Sequence, residues 1–565
     1  MRASLLALPL ALAATLLAGA PHAAEPVRET FVGTREPFAA DAVYFLLTDR
    51  FVNGDPTNDQ RDQGRAKGPQ FATFDRPTPG AEAVQDNVGY LGGDFKGVLD
   101  NADYIRDMGF NAVWITPIVD NPDEAFTGGK PAVKDGFWTD GGKTGYHGYW
   151  GVNFYRLDEH LPSDGLDFRQ FTQAMRGKGL KTVLDIVANH GSPSFTMPVD
   201  QPKFGELYDR DGKLVADHQN LPPEQLDPKG NPLHALYNAK GGLAELSDFA
   251  DANPALLDYM VGAYTQWLDQ GADALRVDTI AWMPHAFWKS FADRLRAHRP
   301  GLFMFGEAFD YDARKIAAHT WPENGQYSVL DFPLKAAMDQ AFGRKRAGYE
   351  VISKALFLER GPYHDPYALM TFYDNHDMPR MDASDEGFID AHNFLFTARG
   401  IPVVYYGSEV GFMRGTAEHS GNRNYFGQER IDAAPQSPIH RELRRVARVR
   451  AATPALQRGL QVNVEMRGDR AVFYRVLQAD GVNQIALVLL NKGDAEARFD
   501  VRTFVQAGTW RSAFDGREAT VAGKGGVQWA VPAHGVEVLL LDAPVQDKGL
   551  LRALRKAQKG ATPRG

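Results

Sequence analysis

Eight short apolar runs, at 43–47, 112–115, 182–187, 274–277, 302–305, 329–332, 368–372 and 403–406, alternate with longer segments of helical period. Runs this short, rich in Val, Ile, Leu and Phe, read as strands covered on both faces, the pattern of parallel sheets. Between them, Leu257, Met260, Val261, Tyr264, Trp267 and Leu268 recur at 3, 4 and 7 and make one apolar stripe on a helix. Another stripe, Val98, Ala102, Ile105 and Met108, stops at Gly109, a residue suited to the left-handed position that ends helices. Eight such units predict an α/β fold, a (β/α)8 TIM barrel over 40–190 and 251–450.

Two departures from this rhythm mark further parts. About sixty residues rich in Asp, Pro, Gly and Asn follow the third strand, too many for a plain loop, and predict an inserted subdomain over 191–250. Beyond residue 455 the period falls to two, with runs at 472–477 and 485–490 around Asp480-Gly481 and another at 536–541, so 455–545 reads as an antiparallel β-sandwich. The basic segment 546–565 is expected to be a tail. At the other end, Arg2, an apolar run from Leu5 to Leu17 and small residues up to Ala24 form the pattern of a signal peptide over 1–24, which implies an exported, soluble mature protein, periplasmic or extracellular.

The chain has 565 residues, no cysteine and a net charge of −9. Thiolate and disulfide chemistry are therefore excluded, and the negative charge argues against nucleic acid as a partner. No membrane partner is expected of the mature form, which is read as a monomer.

The strand ends carry the chemistry. Asp185 lies within and Asn189-His190 follow the third strand, Arg276 lies within and Asp278 follows the fourth, Glu307 follows the fifth and His376-Asp377 the seventh, so ionisable groups gather at one rim of the predicted barrel, where barrel active sites lie. In this order, together with Tyr146-His147-Gly148-Tyr149-Trp150, they resemble the alpha-amylase family of glycoside hydrolases, near its alpha-amylase, cyclodextrin glucanotransferase and cyclomaltodextrinase-like members. The resemblance covers about residues 40–545.

It implies that Asp278 is the nucleophile, Glu307 the acid/base and Asp377 a third carboxylate that grips sugar hydroxyls. It also implies that His190 and His376 hydrogen-bond the sugar, that Tyr149 stacks on it, and that Arg276, His147 and Trp150 line the site. Asp185 is read as a brace beneath the pocket. The chemistry is coherent: cleavage with retention needs one carboxylate to attack and one carboxylic acid to protonate the leaving oxygen. Arg276, two residues before Asp278 on the same side of its strand, can keep the nucleophile ionised, while burial and neighbouring charge should keep a proton on Glu307.

A structural Ca2+ is implied as well. Asn53, Asp55, Asn58 and Asp59, paired with Gly92 and Asp94, resemble the acidic turn of cyclodextrin glucanotransferases, and hard cations favour such oxygen ligands. A second site would use Asn189 and Glu245. Counting four residues back from Glu245 places Gly241 where cyclising relatives carry a central aromatic, and two C-terminal domains typical of those enzymes are absent from this sequence. Ala281-Trp282 stand where a Lys-His pair is common after the nucleophile. The expected partner is therefore an α-glucan (starch, maltooligosaccharide or cyclodextrin), with hydrolysis of α-1,4 links as the leading reaction and transglycosylation as the alternative. A non-catalytic sugar-binding relative would have lost Asp278 or Glu307, and both are present.

Overall fold

The computed structural model describes residues 29–61, 63, 68–78, 87–133, 139–359, 361–416 and 421–561. The segment read as a signal peptide lies outside them. Within the described residues no helix is long and apolar enough to cross a membrane.

All eight expected strands form: β1 (Val43–Leu46), β2 (Ala112–Ile115), β3 (Lys181–Ile186), β4 (Ala274–Val277), β5 (Phe303–Gly306), β6 (Ser328–Val329), β7 (Met370–Thr371) and β8 (Ile401–Tyr405). They hydrogen-bond in parallel in the order 6-5-4-3-2-1-8-7, and a parallel bridge from Leu330 to Met370 links the two ends of that row into a barrel. Their side chains are buried almost throughout, as expected of strands covered by helices outside and packed side chains inside. Phe45 stacks on Trp114 at 3.7 Å between ring centres, and Phe305 meets Trp114 edge-on at 5.3 Å. These rings fill the barrel directly below the polar rim.

β6 is shorter than the sequence pattern. Asp331, inside the apolar run, leaves the strand to cap helix Phe332–Phe342, accepting from Leu334 N–H at 3.2 Å, and Pro333 suits the start of that helix.

The segment inserted after β3 contains two small antiparallel pairs, His190–Pro193 with Leu246–Asp248 and Glu206–Tyr208 with Leu214–Asp217. A satellite apolar cluster of Phe126, Trp150, Met197, Phe204 and Leu246 joins this insert to the loop after β2.

The C-terminal part is antiparallel: β9 (Leu460–Arg467), β10 (Arg470–Ala479), β11 (Val482–Asn491), β12 (Ala497–Val501), β13 (Gly508–Ser512), β14 (Glu518–Val521), β15 (Val527–Val531) and β16 (Gly535–Leu541). A six-stranded sheet in the order 9-10-11-16-13-14 packs with the β12–β15 pair around Tyr474, Leu487, Phe499 and Trp510. The β10–β11 hairpin turns on Asp480 (φ 52°) and Gly481 (φ 82°), the two left-handed residues of the tight turn that matches strand twist.

The basic C-terminal segment is not a tail. Helix Lys548–Ala561 buries Leu550, Leu554, Ala557 and Ala561, Asp547 caps it through Leu550 N–H at 2.7 Å, and Gln558 accepts from Val32 N–H at 2.9 Å. The i, i+4, i+7 spacing of those small and apolar residues makes the docking face.

Candidate active site

The rim is organised by one cation. Arg276, at 0% exposure, points inward from β4, in register with Asp185 on β3. Its Nη1 donates to Asp185 Oδ1 and Asp278 Oδ1, both at 2.8 Å, and its Nη2 lies 2.9 Å from Glu307 Oε1, an ion contact without hydrogen-bond alignment. Asp278 and Glu307 arrive side by side because β4 and β5 are in register, with Glu307 N–H donating to Val277 O at 2.8 Å. Just past Asp278 the chain turns sharply at Thr279, a β-branched residue at φ 48°, a conformation stored as strain.

Asp185 accepts from Trp114 Nε1 at 2.9 Å and Tyr149 Oη at 2.8 Å as well as from Arg276. It therefore positions three side chains from below. Tyr149 stacks on His376 with ring centres 5.4 Å apart. His147 Nδ1 accepts from Tyr149 N–H, which sets the turn that presents that ring.

Asp377, from the loop after β7, carries a partner that no sequence pattern announced. Arg423, from the irregular loop after β8, donates through Nη2 to Asp377 Oδ1 at 2.6 Å and through Nε to His376 O at 2.9 Å. A lone arginine in a loop without periodicity offers no signal, and only the closed barrel brings it to Asp377. Asp374, in the same segment as Asp377, turns away to Ser408 and Met381 N–H.

The environment separates the carboxylates. Burial pushes Glu307 well above the usual carboxylate range; Arg276 opposes this, and the charges of Asp377, Asp278 and Asp185 add to it. Asp377 is held below its usual value although burial acts the other way, because His376, Arg423 and Arg276 surround it and Glu307 hydrogen-bonds it. Burial raises Asp185 from 3.8 to about 7 against the pull of Arg276. Burial also lowers His376 to about 3, and lowers His190, so both imidazoles are neutral near pH 7. The site thus pairs an acid that keeps its proton with a carboxylate that does not.

Trp150 is 3% exposed and sits edge-on to Phe126 and Phe204 in the satellite cluster and to the His147 ring at 5.1 Å.

The first expected cation site is a cradle of oxygens. Asp94 accepts from Gly54, Asp55 and Gly97 N–H at 3.1, 2.7 and 2.6 Å, and Asn58 Nδ2 lies 3.4 Å away. Asn53 Nδ2 donates to Asp59 Oδ1 at 2.7 Å, while the Oδ1 atoms of Asn53 and Asn58 are buried with no hydrogen-bond partner. Gly92 (φ 88°) approaches so closely that a Cβ there would meet Asn53 and Asp59 at 2.3 and 2.4 Å. Two orphaned amide oxygens beside the unpaired carboxylate of Asp94 and that of Asp59, whose other oxygen takes Arg61 Nη2 at 2.5 Å, fit a hard cation. Asp55 is the exception: its carboxylate bonds Thr57 N–H and Oγ1 and faces solvent.

The second expected site is not assembled as read. Strand register sets Asp248, not Glu245, opposite His190, and the Glu245 carboxylate lies instead beside Gly129. Glu245 is pinned at the other end of the pair, where its carbonyl accepts from Ser194 N–H at 2.9 Å. Asn189 Nδ2 bonds His190 Nδ1 at 3.2 Å. Elsewhere, Asp120, Asp123 and Glu159 converge, and Lys203 Nζ lies 3.2 Å from Asp120 and 3.0 Å from Asp123, so a tethered ammonium supplies the positive charge there.

The catalytic-domain family described as alpha amylase matches residues 45–447, well over half of the chain. The chain belongs to the alpha-amylase family. Among similar relatives of this family member, a cyclomaltodextrin glucanotransferase of Klebsiella oxytoca is 26% identical over 556 residues, covering 89% of this chain and 77% of the relative. One from Niallia circulans is 29% identical over 389 residues, covering 67% of this chain and 50% of the relative, so the chain spans only about half of some relatives. Among solved structures, CldA, described as the first cyclomaltodextrin glucanotransferase with a three-domain ABC distribution, superposes with a TM-score of 0.71 at 30% identity, covering 89% of this chain and 99% of CldA. An Anoxybacillus alpha-amylase shares the fold at a TM-score of 0.68 and 23% identity, covering 90% and 99%.

Proposed function

We propose that this alpha-amylase family member is an exported, retaining enzyme that cleaves α-1,4-glucosidic bonds of starch, maltooligosaccharides or cyclodextrins, chiefly by hydrolysis. The arrangement that carries the reading is the single Arg276 guanidinium reaching both Asp278 and Glu307. Retention calls for two carboxyl groups about 5 to 5.5 Å apart, closer than the gap that admits a water, and two carboxyl groups gathered on one guanidinium are in keeping with that requirement. Asp278 attacks the anomeric carbon, Glu307 gives its proton to the leaving oxygen and then takes one from water, and Asp377, His190 and His376 hold the sugar hydroxyls. Tyr149 supplies the stacking face. The cradle of Asn53, Asn58, Asp59, Gly92 and Asp94 would hold a structural Ca2+, which screens its buried carboxylates and ties the loop after β1 to helix Phe95–Asp100.

Hydrolysis is favoured because counting from Asp248, the acid that faces His190, moves the central position from Gly241 to Ala244, which again offers no aromatic post. Domain count lends no weight either way, since CldA is described as a cyclomaltodextrin glucanotransferase with a three-domain ABC distribution. Transfer is supported by a separate observation. Trp282, Phe309 and Tyr311, on the loops after β4 and β5, are three of the five exposed large hydrophobic side chains among the described residues. Phe309 and Tyr311, with ring centres 6.2 Å apart, and Trp282 each offer a face on which an acceptor sugar can stack. Product analysis with starch, pullulan, β-cyclodextrin and maltotriose separates the two, with Asp278→Asn as control. Glucose and maltose as first products support hydrolysis; longer or cyclic oligosaccharides appearing first overturn it in favour of transfer. Equal rates in wild type and Asp278→Asn would remove the catalytic assignment altogether.

A further inference from the structure

A cluster of arginines in this acidic chain lies away from the rim. Helix Pro438–Ala452 carries Arg441, Arg444, Arg445 and Arg448 at i, i+3, i+4 and i+7, so all four project from one face over two turns. Arg511, from β13 of the sandwich, joins them around a cavity of about 530 Å3 whose remaining wall includes Phe514 and Leu540. None of the residues lining this cavity belongs to the catalytic cluster.

The five guanidinium groups face few counter-charges. Glu442 accepts from Arg445 Nε at 2.8 Å, and Asp542 lies 3.8 Å from Arg511. Arg444 Nε and Arg441 Nη1 donate only to backbone carbonyls, those of Asp107 at 3.0 Å and Gln436 at 2.7 Å. The guanidinium of Arg448 makes no hydrogen bond, ion pair or ring contact among the described residues. Arg445 is held in place, its guanidinium carbon 4.0 Å from the centre of the Phe514 ring. Like charges one turn apart destabilise a helix, so this face works against its own fold until an anion neutralises it. Planar guanidinium forks match phosphate oxygens in pairs, better than a lysine cluster would.

We propose that this cavity, between the last barrel helix and the β-sandwich, binds a small organic phosphate, with the phosphate on Arg444, Arg445 and Arg448 and the carbon body against Phe514 and Leu540. A volume of about 530 Å3 is that of a small-molecule site, and suits a sugar phosphate rather than a polymer. Because the lining residues come from both parts of the fold, bound phosphate should tie the sandwich to the barrel and raise the melting midpoint.

The test uses the full chain and isothermal titration calorimetry with glucose 1-phosphate, inorganic phosphate, glucose, and sodium chloride at matched ionic strength. Saturable binding of glucose 1-phosphate is expected, with glucose and chloride silent and affinity at least tenfold weaker in Arg445→Gln/Arg448→Gln. Arg448→Gln alone, at an exposed and unpartnered side chain, serves if the double variant folds poorly. Starch cleavage by either variant should match wild type. No saturable binding of glucose 1-phosphate, an equal response to chloride, or undiminished binding by both variants overturns the proposal. Binding to vesicles of phosphatidylglycerol without binding of the soluble phosphates overturns it too, since that would make the face a lipid-headgroup site.

Discussion

Two clusters of buried carboxylates occupy this molecule, and they differ in what opposes their charge. At the rim, Asp185, Asp278 and Glu307 share one guanidinium. At the loop cradle, Asp94 is held by backbone N–H groups of Gly54, Asp55 and Gly97 and has no ion pair among the described residues, while its neighbours each have an arginine, Arg50 Nε 3.0 Å from Asp49 and Arg61 Nη2 2.5 Å from Asp59. Backbone amides are dipoles, so they orient Asp94 without cancelling its charge, and the adjoining amide oxygens of Asn53 and Asn58 remain unpaired. A cradle built this way suits an added cation. A rim built around Arg276 has its cation already, and its remaining freedom lies in where the protons sit.

The comparison breaks most visibly at the nucleophile. Asp278→Asn should lower the turnover of maltooligosaccharides by about 1,000-fold or more with the thermal midpoint little changed, whereas Asp94→Asn should leave turnover at 25 °C near wild type and lower the midpoint. Kinetics and melting on the same two variants decide it, and the reverse pattern would exchange the roles of the two clusters.

Glu307→Gln should cost about 100- to 10,000-fold on natural links, and far less on a substrate whose leaving group needs no proton. Since burial lifts the pKa of Glu307, its deprotonation sets the alkaline limb of the wild-type profile, and that limb should vanish in the variant. An unchanged limb would assign it to another group.

Arg276→Met leaves three buried carboxylates without their cation, and should destabilise the fold by about 3–5 kcal/mol in urea titrations. Chelation probes the other cluster. EDTA should lower the midpoint of wild type by roughly 5 °C, the scale set by losing a saturating ligand, and leave Asp94→Asn unmoved; an unmoved wild type would count against a structural cation.

The smallest effect concerns pH. Asp185 titrates near 7 in the folded chain and near 3.8 when free, so the folded state holds the extra proton between those values. Its contribution to stability is greatest below about 3.8 and falls as pH rises through 7. Asp185→Asn should flatten the decline of the midpoint between pH 4 and 7, and an equally steep decline would place the linked proton elsewhere.

Much of this was legible in the chain because strands and their ends are local. Apolar runs bounded by turn residues mark all eight barrel strands, and Arg276, Asp278 and Glu307 lie within two residues of those ends, so finding the strands located the buried charge cluster. Glu245 was misread for want of a register: four positions along an irregular insert decide whether a carboxylate faces His190 or Gly129, and nothing periodic counts them. Trp150 could not be placed from sequence, because an aromatic beside a site has the same composition whether it faces sugar or core. The C-terminal helix was overlooked because its basic residues outweighed the leucines and alanines that form its docking stripe.

By itself the sequence determined the barrel, the sandwich, the family and the order in which the carboxylates come to the rim, since each follows from periodicity and short motifs. Only the closed tertiary structure decided that Arg423 would reach Asp377 from the loop after β8, that Asp248 would face His190, and that Arg511 would complete a ring of arginines begun on a distant helix. These are pairings between residues far apart in the chain, and charge, burial and proton affinity depend on distance in space.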